Sequence, residues 1–124
     1  MRLFALRKAP RCDRMEKTKK EIAMIRHIVL FRFKEEAEGR TKRENVEATR
    51  QMLEALPAKI PLILESHTFV NAPDTNRENA DLMLISDFAS REDLDAYMVH
   101  PDHQAVVAFM RSLRESRMAI DLTV

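Results

Sequence analysis

The sequence predicts a small α+β domain with the element order β-α-β-β-α-β. Four stretches, near 25–34, 62–70, 81–88 and 118–124, are rich in β-branched, aromatic or alternating apolar residues, as strands are. Two helical patterns separate them, each opened by a capping signal, at Thr41 and at Ser90. The length of 124 residues is enough for one hydrophobic core and short of two.

The first strand, 25–34 (IRHIVLFRFK), places Ile25, His27, Val29, Phe31 and Phe33 on one face and Arg26, Ile28, Leu30 and Arg32 on the other. Both faces are apolar in the middle. Glu35, Glu36 and Glu38 then read as a solvated strand exit. Thr41-Lys42-Arg43-Glu44 has the spacing of a capping box, in which hydroxyl and carboxylate satisfy early backbone N–H groups. The helix it opens carries Val46, Leu53 and Leu56 on one stripe, flanked by Ala48, Met52 and Ala55, and Pro57 is expected to end it. A second strand follows over 62–70. The turn residues of 71–76 (NAPDTN) separate it from a third over 81–88. Ser90 is placed to cap a short helix with Leu94, Tyr97 and Met98 on its apolar side. Pro101 interrupts that helix by forcing His100 out of helical geometry, and suits the first turn of a new one bearing Val106, Val107, Phe109, Met110 and Leu113. Met118, Ile120, Leu122 and Val124 alternate as a last strand.

This is the ferredoxin-like arrangement, a four-stranded antiparallel sheet with its helices on one face. The other face is left bare, yet Ile28 and Leu30 lie on it, and burying each is worth ~1.5–3 kcal/mol. A second copy of the same sheet is the simplest cover. The residues themselves thus predict a homodimer.

Composition narrows the function classes. With 45% hydrophobic and 33% charged residues, the chain has the balance of a soluble globular protein. It has no apolar run near the ~18 residues of a membrane span. Cys12 is the only cysteine, so an internal disulfide is excluded and a reducing, cytoplasmic location is expected. Residues 1–23 hold eight Lys/Arg and three acids, +5, which leaves 13 basic and 17 acidic side chains, −4, for the rest. The basic stretch is expected to be a disordered extension ahead of a domain at 24–124; contact with nucleic acid and an organelle presequence are the alternatives. Met24, just before the first strand, offers an alternative translation start. A net-negative domain is a poor ligand for a phosphate backbone, so no nucleic acid is expected as partner. Gly39 is the only glycine, too few for a P-loop or a dinucleotide fingerprint, and no cofactor is expected.

Three stretches, RHIVLFRFKEEA at 26–37, DLMLISDFASREDLDAYMVHPDHQAVV at 81–107 and AIDLTV at 119–124, resemble the stress-response A/B barrel family, also called the dimeric α/β barrel domain. The His100-Pro101-Asp102-His103 element following Tyr97 is the most specific part of the likeness. The resemblance implies a homodimer whose two sheets curve into a barrel, with a hydrophobic cavity between each sheet and its own helices. A polyketide cyclase with this fold closes its substrate by an intramolecular aldol reaction, and its catalytic Tyr and His correspond to Tyr97 and His103. A first-strand His of that enzyme matches His27. Its third-strand cavity His is replaced here by Leu82.

An aldol closure needs a base to take a proton alpha to a carbonyl and a donor to hold the developing enolate oxygen. A neutral His103 near a Tyr97 hydroxyl meets both needs, and a position early in a helix disfavours imidazolium. The competing reading has His100 and His103 capping the proline break, with Tyr97 anchored there. His27, in an apolar row, reads either as a third member of the site or as a satisfied buried histidine. His100, Asp102 and His103 lack dependable metal-site geometry across Pro101, so no metal is expected. The leading expectation is a stress-linked dimer with a hydrophobic ligand pocket and no assured turnover. The alternative is a cofactor-independent enzyme acting on a hydrophobic ketone or phenol, of polyketide cyclase/lyase or quinol-monooxygenase type. RNA binding is rejected, because 81–88 (DLMLISDF) lacks the glycine-aromatic signature that stacks bases.

Overall fold

A computed structural model describes residues 23–124. The expectations for the basic stretch 1–23 fall outside the described residues, Ala23 excepted. The elements are β1 (Ile25–Phe33), β2 (Glu36–Ala37), β3 (Arg40–Thr41), α1 (Lys42–Lys59), β4 (Ile63–Val70), β5 (Leu82–Phe88), α2 (Arg91–Met98), α3 (Pro101–Met110) and β6 (Arg114–Thr123). The main sheet has the order β4-β5-β1-β6 with every pair antiparallel, which is the ferredoxin-like topology. The two ends of the domain meet, for the Val124 N–H donates to the Met24 carbonyl at 3.0 Å.

The sheet's inner face is the core. Ile25, His27, Val29, Phe31 and Phe33 of β1 and Leu82, Leu84, Ser86 and Phe88 of β5 are all buried there. Helix α1 covers them with Val46, Leu53 and Leu56, and α2 and α3 add Leu94, Tyr97, Val106 and Met110. The capping box forms as its spacing requires: the Thr41 N–H donates to Glu44 Oε1 at 2.9 Å and the Glu44 N–H to Thr41 Oγ1 at 3.2 Å.

Three local features depart from the sequence reading. Pro57 lies inside α1, which runs on to Lys59. The missing Pro57 N–H removes only one bond this late in the helix, and the last turn still closes through Ile60 N–H to the Leu56 carbonyl at 2.8 Å. The acidic stretch after β1 is a hairpin, β2–β3, instead of a simple exit. Its two turn residues, Glu38 and Gly39, have φ of 54° and 75°, as a primed two-residue turn demands, which is the use of the chain's one glycine. Buried Asn45 ties this hairpin to α1, donating to the Ala37 carbonyl at 3.1 Å and accepting from Arg40 Nε at 2.6 Å. Finally, β6 begins at Arg114, four residues before the alternating pattern.

Among the described residues, no helix lies over the outer face of the sheet. Register places Ile85, Ile28 and Ile120 in one row, and Phe69, Met83, Leu30 and Met118 in the next. Ile120 is 57% and Met118 70% exposed in the protomer. One end of this face is polar: Arg26 and Asp87 lie opposite each other and form a bidentate pair, Nε–Oδ1 2.8 Å and Nη2–Oδ2 3.1 Å.

Candidate functional site

Behind the inner face lies a cavity of about 270 Å³, with walls of Val29, Phe31, Leu53, Leu84 and Val106 and with His27, Tyr97 and His103 in its lining. The three residues singled out from the sequence thus come together at one place, although 76 positions separate the first from the last. A larger open groove of about 1380 Å³ runs between 35–47 and 70–81, but it holds none of them. The Lys42 ammonium on that groove is already paired, with Glu35 at 3.2 Å and Asp81 at 3.5 Å. The cavity that gathers the three is the better site.

The break between α2 and α3 builds half of it. A helix C-terminus leaves carbonyls without partners, and here the next helix supplies them. His103 Nδ1–H donates to the Met98 carbonyl at 3.1 Å, and Gln104 Nε2 donates to the same oxygen at 2.7 Å. Because a carbonyl only accepts, Nδ1 must carry the hydrogen, and a neutral His103 keeps its lone pair on Nε2. Burial pushes the His103 imidazole below its ordinary pKa, outweighing the Met98 bond, which acts the other way; the nearby His27, Arg117 and His100 lower it further. His100 does something different: its Nδ1 accepts from the Asp102 N–H at 3.1 Å and caps α3.

Tyr97, at the end of α2, is only 1% exposed. Its ring packs on His103 with centroids 4.3 Å apart, on Phe88 at 4.9 Å and near His27 at 6.3 Å. Among the described residues its hydroxyl has no hydrogen-bond partner, and the only sealed side-chain N or O atom without one is Arg32 Nε. The Tyr97 hydroxyl therefore borders open space. Burial raises its pKa well above that of a free phenol, so it is a protonated donor.

His27 belongs to a polar line that crosses the whole inner face. Register sets Ser66 opposite Ser86, Ser86 opposite His27 and His27 opposite Asp121. The two serine hydroxyls are 3.1 Å apart, and His27 Nδ1 meets Asp121 Oδ1 at 2.5 Å. A carboxylate holding Nδ1–H fixes the ring and leaves Nε2 unprotonated in the neutral form. Leu82 is buried opposite Phe31 and adds no polar group. Sequence reasoning missed Asp121, Ser86, Arg114 and Arg117. Asp121 had a signal, as a lone acid within an apolar alternation, but its partner is set by register 94 residues away.

What this arrangement offers is an unprotonated imidazole nitrogen and a phenol hydroxyl in a cavity with an apolar floor. Among the described residues no group of three His, Cys, Asp or Glu could hold a metal ion, and no helix is long and apolar enough to cross a membrane.

Comparison with known proteins agrees with this picture. Residues 25–124 match the family described as Stress responsive A/B Barrel Domain. The chain is 31% identical over 100 residues to the Arabidopsis thaliana stress-response A/B barrel domain-containing protein DABB1, covering 80% of this chain and 46% of that protein, so it spans about half the relative's length. Among solved structures, a dimeric ferredoxin-like protein of unknown function from Bacteroides fragilis superposes with a TM-score of 0.72 at 30% identity, covering 82% of this chain and 96% of that one. A dimeric ferredoxin-like protein of unknown function from Thermobifida fusca gives 0.69 at 28%, covering 82% and 92%. A hydroxynitrile lyase from Passiflora edulis gives 0.66 at 16%, covering 82% and 93%, a likeness of fold alone. By its matched residues, its sheet order and its relatives, the chain belongs to the stress-responsive A/B barrel family.

Proposed function

We propose that this domain, residues 24–124, is a cytosolic homodimer that holds a small hydrophobic molecule in the cavity between its sheet and its split helix. The observation that carries the reading is the Tyr97 hydroxyl, which has no protein partner among the described residues and lies beside His103 in a cavity walled by Val29, Phe31, Leu53, Leu84 and Val106. A hydroxyl that opens on the cavity without a protein partner is free to donate to a ligand oxygen there. The homodimer is supported by the uncovered Ile28, Ile85, Ile120 and Met118 rows and by the dimeric state of similar structures. Thermal shifts of wild-type and His103→Ala protein across hydrophobic β-diketones, phenols and quinones test the pocket. A bound compound at ~100 times its dissociation constant stabilises by ~2.7 kcal/mol. Stabilisation that disappears in His103→Ala is the expected result; no shift with any compound would refute the ligand reading.

A second reading, cofactor-free proton transfer, is favoured by the fixed tautomer of His103. Nε2 takes the proton alpha to a carbonyl, Tyr97 O–H donates to the resulting enolate oxygen, and His27 with Asp121 stands ready on the opposite wall. Under it, His103→Gln removes turnover of any compound that binds, while Tyr97→Phe slows it without abolishing binding. Binding with no turnover in the wild-type would leave the domain as a carrier.

A further inference from the structure

Arg114 and Arg117 are three apart on β6, so strict alternation would send them to opposite faces of the sheet. They nevertheless both line the cavity. The cause is a β-bulge: Arg117 lies opposite Phe31 and Ser116 opposite Arg32, but the next pair is Arg114 with Phe33, so Glu115 is extra. Phe31 and Phe33 are both inner-face residues, and the bulge brings both arginines to their side. The displaced Glu115 carboxylate is 3.3 Å from Arg32 Nε, away from the arginine pair. Bulges that re-aim a side chain cluster beside functional sites.

Arg26, Arg32, Arg50 and Arg91 each have a carboxylate within ion-pair distance. Among the described residues Arg114 and Arg117 have neither ion pair nor side-chain hydrogen bond, and no Asp or Glu lines the cavity. Among the described residues Arg43, Arg77 and Arg111 also have no carboxylate within ion-pair distance, but Arg114 and Arg117 are the arginines that line this cavity. Asp121 is nearest by register, but it is engaged with His27. The Arg117 charge reaches both Tyr97 and His103.

We propose that the Arg114–Arg117 pair is an anion-binding subsite, and that the cavity takes a small organic acid with an apolar body and a terminal carboxylate. The inference rests on reading the cavity as a ligand site and adds the chemical class. A guanidinium fork matches two carboxylate oxygens, while Val29, Phe31 and Leu84 supply an apolar floor for the body. A cavity of about 270 Å³ lies at the lower limit of small-molecule pockets, which favours a ligand of one ring or a short chain.

Calorimetric titration at low salt with 4-phenylbutanoate and 4-phenylbutanamide tests this, since the two probes share a body and differ in charge. Wild-type protein is expected to bind the acid at least about tenfold tighter than the amide. The double variant Arg114→Gln/Arg117→Gln should lose that preference yet keep its affinity for the amide, which doubles as the check on folding. Arg117→Gln alone, at an exposed position, should lose part of it, and Arg117→Lys should retain more. Equal affinity for acid and amide would overturn the anion subsite while leaving the hydrophobic pocket standing. A preference that survives in the double variant would also overturn it. Failure of both probes to bind would remove the pocket reading and this inference together.

Discussion

Replacing Ile120 with lysine should separate the subunits of the proposed homodimer while leaving each one folded. Ile120 is 57% exposed in the protomer, in the row with Ile28 and Ile85. Full burial of such a side chain is worth ~1.5–3 kcal/mol, so covering the remaining 57% contributes about 0.9–1.7 kcal/mol per copy. A two-fold interface contains the residue twice, which makes the loss about 2–3 kcal/mol before any cost of confronting two ammonium groups. Each 1.4 kcal/mol is tenfold in affinity, so the dissociation constant should rise by roughly 30- to 140-fold. Light-scattering chromatography over a dilution series reads this directly. Circular dichroism should show secondary structure retained, because β6 is held to β1 by backbone bonds that the substitution does not touch. A dissociation constant unchanged within about threefold would refute the assignment of this face as the interface.

Other consequences follow from packing and charge. Leu53→Ala removes a 3%-exposed side chain from the cavity wall and should destabilise by ~2–5 kcal/mol in denaturant melts. Thr41→Ala breaks the capping box and should cost ~1 kcal/mol, lowering the melting temperature by about 4 °C. Asp87→Asn replaces the carboxylate that the Arg26 guanidinium holds through two hydrogen bonds and should cost ~1.5–3 kcal/mol in denaturant melts. Because folding lowers the His103 pKa from 6.5, the unfolded chain takes up that proton more readily. Stability from this group is therefore complete above the unfolded value and is lost as pH falls below it. Urea midpoints should drop more steeply from pH 7.5 to 5.5 in the wild-type than in His103→Gln; parallel profiles would refute the assignment.

The parts of this fold written in local pattern were legible. The alternation of β1 foretold which of its side chains face the core, and the capping signals at Thr41 and Ser90 marked helix starts correctly. Pro101 announced the break that positions His103. The hairpin was not legible, because its strands are two residues long and carry no apolar signal beyond Ala37. Pro57 misled, since a proline's cost depends on how much helix remains beyond it. The polar half of the cavity was hidden for another reason. Asp121, Arg114 and Arg117 reach it through the β1–β6 register and one bulge, and neither is expressed in the residues flanking them. The family likeness pointed to Tyr97, His103 and His27; the side chains that orient or charge them come from strand pairing.

The bond from Val124 to Met24 makes this domain a nearly closed ring of chain. A short bridge can join its ends without strain, and the loop 71–81 can then be opened, giving a circular permutant with the same sheet. The same geometry suits insertion, since a host protein would meet the domain's entry and exit points side by side.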